Sequence, residues 1–216
     1  GAIVNTVVDW SLTKDIGFSL VVSVGNQADL NFFDYLRAAA ADPETKVIIM
    51  YIEQIKNGKA FMEIVSEVSR HKPVVALKAG SSARGQAAAA SHTGSLSGSY
   101  DVYIEAFRKS GVLLVHTLTG AFLAAEMLSH PKRYPKGRRA IVVTNAGGFA
   151  VLSSDYSERY GVKMIDLPDY LVKELDSFLP EFWNRGNPVD LLGDATEGRF
   201  EKTFEVLAKN DALWDM

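Results

Sequence analysis

The sequence contains no cysteine. Disulfides, thiolate nucleophiles and cysteine-ligated metals are therefore excluded together. That absence suits a cytoplasmic protein, which is the expected location. No apolar run approaches the eighteen or so residues needed to cross a bilayer, and no signal peptide is visible, so a membrane partner is not expected. Charge of one sign is also scarce. A net charge of -3 gives no global basic field for nucleic acid. Several standard motifs are missing as well. No GxGxxG and no HExxH occurs, and the histidines at 71, 92, 116 and 130 lack metal-ligand pair spacing. Gly80–Gly85 has the glycine spacing of a Walker A loop, but Gln86-Ala87 stands where Lys-Ser/Thr is required. Gly94-Ser-Leu-Ser-Gly98 is a nucleophile elbow with its serine displaced by one position.

What is present is an ordinary soluble composition. Of 216 residues, 47% are hydrophobic and 23% charged, enough for one large or two small domains with real cores. Periodicity along the chain alternates between helix and strand. Residues 2–16 read as a helix, Phe18–Val24 as a strand and Leu30–Ala40 as a helix. Lys46–Ile52 reads as a buried strand, and Phe61, Ile64, Val65 and Val68 mark a helix face. Pro73–Lys78 is the next strand. A helix over 100–109, a strand over Val112–Val115 and a helix over 120–130 follow. This pattern predicts a parallel sheet with helices on both faces. An α/β domain usually opens on a strand, and this chain opens on a helix. A strand and its loop are therefore expected upstream, and the chain reads as a segment of a longer polypeptide.

Pro131–Arg139 (PKRYPKGRR) carries two prolines and five basic residues and reads as a linker or boundary. Its charge suits either a solvated surface or contact with a nucleotide or coenzyme phosphate. Two domains are expected, 1–131 and 139–216. In the second, strand Ala140–Thr144, the turn Asn145–Gly148, a helix over 149–160 and strand Val162–Ile165 repeat the α/β pattern. No strand follows the helix Gly198–Lys209, so this domain is expected to be incomplete. A Gly-rich strand-to-helix turn either aims backbone N–H groups at an anion or simply supplies a tight turn.

Ala79–Ser99 organises the rest. It has one large aliphatic side chain, Leu96, one arginine, no proline and no acid. It reads as a long functional loop whose small residues let peptide N–H groups approach an anion. Its one imidazole is His92. In a doubly wound sheet, ligands gather beyond the carboxyl ends of strands. His92 follows strand 73–78, and Glu53 lies just beyond strand 46–52. A carboxylate on one imidazole nitrogen fixes the tautomer and leaves the other nitrogen nucleophilic. This combination points to phosphoryl transfer through a phosphohistidine.

Ser91-His-Thr-Gly-Ser95 with the flanking SLSGS, Thr144-Asn-Ala-Gly-Gly148 and Asn187-Pro-Val-Asp-Leu191 resemble the motifs of the NDP-forming acyl-CoA synthetases, relatives of succinyl-CoA synthetase. The similarity runs through nearly the whole chain in one order. It implies a flavodoxin-like, doubly wound CoA-ligase domain followed by the first part of a second ligase domain. It also implies the reaction acyl-CoA + phosphate + ADP ⇌ acid + CoA + ATP. By resemblance His92 carries the phosphoryl group, Glu53 steadies it, and Thr93, Gly94, Ser95, Asn145, Ala146, Gly147 and Gly148 hold the phosphate. Phe149 stands where the family pattern has proline. CoA and ADP/ATP with Mg would be substrates of the complete enzyme, none of them stably bound by this segment, which should be inactive alone. The resemblance further implies a CoA-binding Rossmann domain upstream, an ATP-grasp domain on the same or another chain, and a homo- or hetero-oligomer. The competing expectation is a non-catalytic ligase-like module that regulates a lysine acetyltransferase.

Overall fold

The computed structural model describes residues 1–14, 16–93, 99–130 and 134–216, with the backbone alone at 90, 92 and 93. They form two compact units, Gly1–Lys132 and Arg133–Met216.

The first unit contains α1 (Ala2–Lys14), α2 (Phe32–Ala41), β1 (Ile48–Ile52), α3 (Gly58–Ser69), β2 (Val74–Lys78), α4 (Ala83–Thr93), α5 (Tyr100–Lys109), β3 (Leu113–Val115) and α6 (Leu118–Leu128). The strands form one parallel sheet in the order β1-β2-β3, with Ile52 paired to Lys78 and Ala76 to Leu114. Parallel strands need crossover helices, and the alternating periods of the sequence supply them. Side chains alternate across a strand. Met50, Ile52, Val74 and Ala76 pack with Phe61, Val65 and Val68 of α3, Phe107 of α5 and Leu36 of α2. Phe61 meets Phe107 edge-on, with ring centroids 6.3 Å apart. Elsewhere in the unit, Phe122 of α6 meets Trp10 of α1, with ring centroids 4.8 Å apart.

Local chemistry sets the element ends. Asn31 caps α2: its Oδ1 accepts from the Phe33 N–H at 2.8 Å, while Asp34 accepts from the Asn31 N–H at 3.0 Å. At the other end of α2, the Lys72 ammonium donates to the Ala39 and Asp42 carbonyls, which the helix leaves unpaired. Phe18–Val24 corrects the sequence reading, because it forms no strand. Phe18 instead meets Phe122 of α6 at 6.3 Å. The run is apolar enough to pack but joins no ladder.

The second unit contains β4 (Arg139–Ala140), β5 (Val143–Thr144), α7 (Gly147–Tyr160), β6 (Lys163–Met164), α8 (Asp169–Asp176), β7 (Val189–Asp190), α9 (Glu197–Ala208) and a 3-10 turn at Asp211–Leu213. β4 pairs with β6 and β5 with β7, both parallel. The single strand expected over 140–144 is thus broken in two. Asn187 occupies the break. Its amide donates to the Ala140 and Ile165 carbonyls at 2.8 and 2.9 Å, and its Oδ1 accepts from the Val142 N–H at 3.0 Å. A side chain supplies hydrogen bonds that a continuous ladder would have made. The core gathers Leu171, Leu175, Leu179, Trp183, Val189, Leu191, Val206 and Leu207. Trp183 donates its indole N–H to Asp176 at 2.6 Å.

Candidate functional site

Ala79–Ser99 is not one long loop. Residues Ala83–Thr93 form α4. Ser82 starts it, its Oγ accepting from the Gly85 N–H at 3.1 Å. Ala87–Ala90 then propagate it, alanine being the strongest helix former. Gly80, at φ +82°, makes the turn out of β2. A side chain at Gly85 would come within 3.3 Å of the Gly80 Cα. The near-Walker glycines thus serve a tight strand-to-helix entry. His92 and Thr93 lie at the carboxyl end of α4. Their side chains, and all of Gly94 and Ser95, fall outside the described residues.

Glu53 is half-buried immediately after β1. Tyr51 donates its hydroxyl to Glu53 Oε1 at 3.4 Å. Burial pushes the Tyr51 phenol above its ordinary value, and the Glu53 charge adds to the shift. Lys78, at the carboxyl end of β2, is only 4% exposed. Burial pulls its ammonium below the ordinary lysine range, and the negative charge of Glu53 partly restores it. Lys78 Nζ lies 4.5 Å from the centroid of the Tyr103 ring. The Tyr103 hydroxyl accepts from the Ile55 N–H at 3.3 Å. The first unit thus gathers Glu53, Tyr51, Lys78 and Tyr103 at one edge of its sheet. Sequence reasoning named only the first. Lys78 shares strand parity with Val74 and Ala76, and that parity was the available signal.

Asn145–Gly148 belongs to the second unit. The Ala146 N–H donates to Thr144 Oγ1 at 3.2 Å, folding the turn at the end of β5. α7 starts at Gly147, two residues earlier than its apolar pattern suggests. The Phe149 N–H donates to the Ala146 carbonyl at 3.0 Å, a bond that proline could not make. Asn145 is half-buried, and Gly147 and Gly148 are exposed at a helix N-terminus, where N–H groups point outward with partial positive charge. Asp190 stands beside them: a side chain at Gly147 would meet its Oδ2 at 3.6 Å. In the basic run, Arg139 is engaged with Asp215 at 2.9 Å, and Arg138 donates to the Gly161 carbonyl at 3.4 Å.

Residues 1–128 match the family described as the succinyl-CoA ligase like flavodoxin domain. The chain belongs to that family. Residues 140–213 match the Ligase-CoA domain. A curated relative, subunit alpha of the ADP-forming acetate–CoA ligase II of Pyrococcus furiosus, is 42% identical over 210 residues, which are 97% of this chain and 46% of that one. The ADP-forming acetate–CoA ligase I of Archaeoglobus fulgidus is 40% identical, matching 98% of this chain and 30% of its own length. A solved dinucleotide-forming acetyl-coenzyme A synthetase 1 of Ca. Korarchaeum cryptofilum, in complex with phosphate and ADP, superposes with a TM-score of 0.91 at 37% identity. It covers 99% of this chain and 46% of that one. The chain therefore spans half or less of the length of these relatives. The flavodoxin-like parallel α/β fold of the first unit follows from both the family match and this superposition.

Proposed function

We propose that the chain is the phosphohistidine-bearing segment of an NDP-forming acyl-CoA synthetase, which interconverts acyl-CoA, phosphate and ADP with acid, CoA and ATP. The observation that carries this reading is the ordered match of two ligase domains, with His92 on the helix that leaves β2 and Glu53 at the adjacent strand end. In the direction that consumes ATP, the lone pair of a neutral His92 nitrogen attacks the terminal phosphorus of ATP. An N–P bond forms, the P–O bond to ADP breaks, and ADP leaves with the electron pair. Glu53 accepts from the other ring N–H and fixes the tautomer. Thr93, Gly94 and Ser95 of the first unit supply donors for a phosphoryl group, and the Asn145–Gly148 turn of the second offers a phosphate its own helix N-terminus.

Among the described residues, no three His, Cys, Asp or Glu side chains are grouped to hold a metal ion. In this reading Mg²⁺ arrives with the nucleotide as part of the substrate. The remainder of the enzyme supplies the CoA-binding and ATP-grasp domains. No helix among the described residues is long and apolar enough to cross a membrane, and a cytoplasmic location is part of the proposal.

The test is labelling of the complete enzyme with ATP radioactive at its γ-phosphate. The label should be acid-labile and base-stable, as a phosphoramidate is. His92→Ala should abolish both the label and net acyl-CoA turnover without unfolding the protein. Acid-stable label, or full labelling of His92→Ala, would overturn the assignment.

A further inference from the structure

A surface helix normally turns its apolar stripe toward the unit that carries it and its polar side toward water. α7 does the reverse. It lies against β5, β6 and β7, and its half-buried positions are Ala150, Ser153, Ser154 and Ser157. The Ser153 and Ser154 hydroxyls both donate to the Ala150 carbonyl at 2.9 Å, within the helix itself. The inner side is thus made of small residues, and no residue of α7 is fully buried. The large side chains lie elsewhere. Phe149, Leu152, Tyr156 and Tyr160 recur at helical spacing and form one stripe. They are 68%, 49%, 55% and 66% exposed. The Tyr156 and Tyr160 rings stack, with centroids 6.2 Å apart. Single exposed apolar residues need no explanation, whereas a contiguous patch of several hundred Å² marks a contact surface.

Charge and area narrow the occupant. The rest of α7 holds Asp155, Glu158 and a single base, Arg159, whereas a helix that lies on a membrane is rich in lysine and arginine. The stripe offers roughly 500 Å², taking partly exposed aromatic side chains of about 150–250 Å² each. Two copies joined face to face would bury roughly 1,000 Å² in total, short of the about 1,200–2,000 Å² of a stable interface between separate chains. The same area falls inside the about 600–1,500 Å² found between domains of one polypeptide. There the tether supplies an effective concentration in the millimolar range. The match to the Pyrococcus furiosus alpha subunit leaves more than half of that single polypeptide over.

We propose that the face of α7 formed by Phe149, Leu152, Tyr156 and Tyr160 is the docking surface for a further domain of the same polypeptide. That domain presents an apolar patch rimmed by hydrogen-bond acceptors for the two phenols. The inference goes beyond the reaction, but it rests on the reading of the chain as a segment of a longer ligase. α7 begins at Gly147, so a domain seated on its side also fixes the direction of its first N–H groups.

Hydroxyl-radical footprinting of the full-length polypeptide, purified without any other subunit and read by mass spectrometry, is the test. Tyr170 on α8 and Phe204 on α9, each 53% exposed, are the references. Compared with the reference of its own residue type, each of Phe149, Tyr156 and Tyr160 should be oxidised at least about fivefold more slowly, as a face open less than about a fifth of the time would be. The protection should survive dilution by about a hundredfold, because a tethered contact does not depend on protein concentration. Tyr156→Glu should return Phe149 and Tyr160 to the reference rates, while Trp183, 2% exposed, stays unreactive and reports an intact core. Should that variant fail to fold, Leu152→Ser is judged by the same rates. Stripe rates equal to the references, protection lost on dilution, or protection that requires an added subunit would each overturn the proposal. A full-length protein that takes no acid-labile label from ATP would remove the phosphohistidine reading and leave the footprint to judge the docking.

Discussion

At the scale of single residues, side chains that complete backbone hydrogen bonding matter as much as the reactive groups. Asn187 bonds three separate backbone groups, at Ala140, Val142 and Ile165. Asn187→Ala removes all three bonds from a half-buried site and leaves peptide groups to find water. It should lower stability by about 2 to 3 kcal/mol, read as a lower denaturant midpoint with an unchanged slope. A loss under about 0.5 kcal/mol, the scale of an ordinary surface change, would show that water replaces the side chain without penalty. Glu53 was legible in the sequence because a carboxylate directly after a buried strand stands out. Lys78 was not, because a lysine closing a strand reads as the point where the chain meets solvent. Its parity with Val74 and Ala76 pointed inward, but the ring that receives its ammonium, Tyr103, belongs to a helix far along the chain. Asn187 was quoted only as part of a motif. The bonds it makes join three segments and have no signature in any one of them.

At the scale of elements, the alternation of strand and helix was read correctly over most of the first unit, while the stripe of Leu171 and Leu175 in α8 was passed over. β1, β2 and α3 are examples of the correct readings. Two segments of the first unit were misread for opposite reasons. Phe18–Val24 has the composition of a strand, but composition does not provide a pairing partner. α4 has no apolar stripe, so a reading based on periodicity passed over it, although its run of alanines carries high helix propensity. The difference bears on His92, which a helix holds with less freedom than a loop. Ala88 is exposed in the middle of α4. Ala88→Gly should weaken the helix by about 1 kcal/mol while leaving the cores intact. If α4 positions His92, phosphorylation from ATP should slow by up to about fivefold, the rate equivalent of that energy, with little change in melting temperature. An unchanged labelling rate beside measurably faster amide exchange in α4 would show that the helix does not aim the imidazole.

At the scale of the whole molecule, each unit has its own apolar cluster, one built on β1 and β2, the other on α8, α9 and β7. The parallel α/β class was legible because crossover helices and buried strands alternate in the sequence. The division of the second unit into two strand pairs was not, because Ala140-Ile-Val-Val143 is apolar without interruption. We propose that the domain boundary lies between residues 131 and 139. Trypsin should then cleave first within that basic run and leave two resistant fragments, whereas first cuts inside either unit would count against it. One arrangement in the second unit has a further consequence. The Asp215 and Met216 N–H groups both donate to the Arg139 carbonyl, at 2.8 and 3.1 Å, and the Lys136 N–H donates to the Asp215 carbonyl at 3.3 Å. The Asp215 carboxylate grips the Arg139 guanidinium across the same junction. The backbone on either side of Arg139 is therefore clasped by residues 215 and 216, far along the chain, as well as by β6. Amide exchange at Asp215 and Met216 should accordingly be slow together with that of β4, not at the rate of a frayed segment.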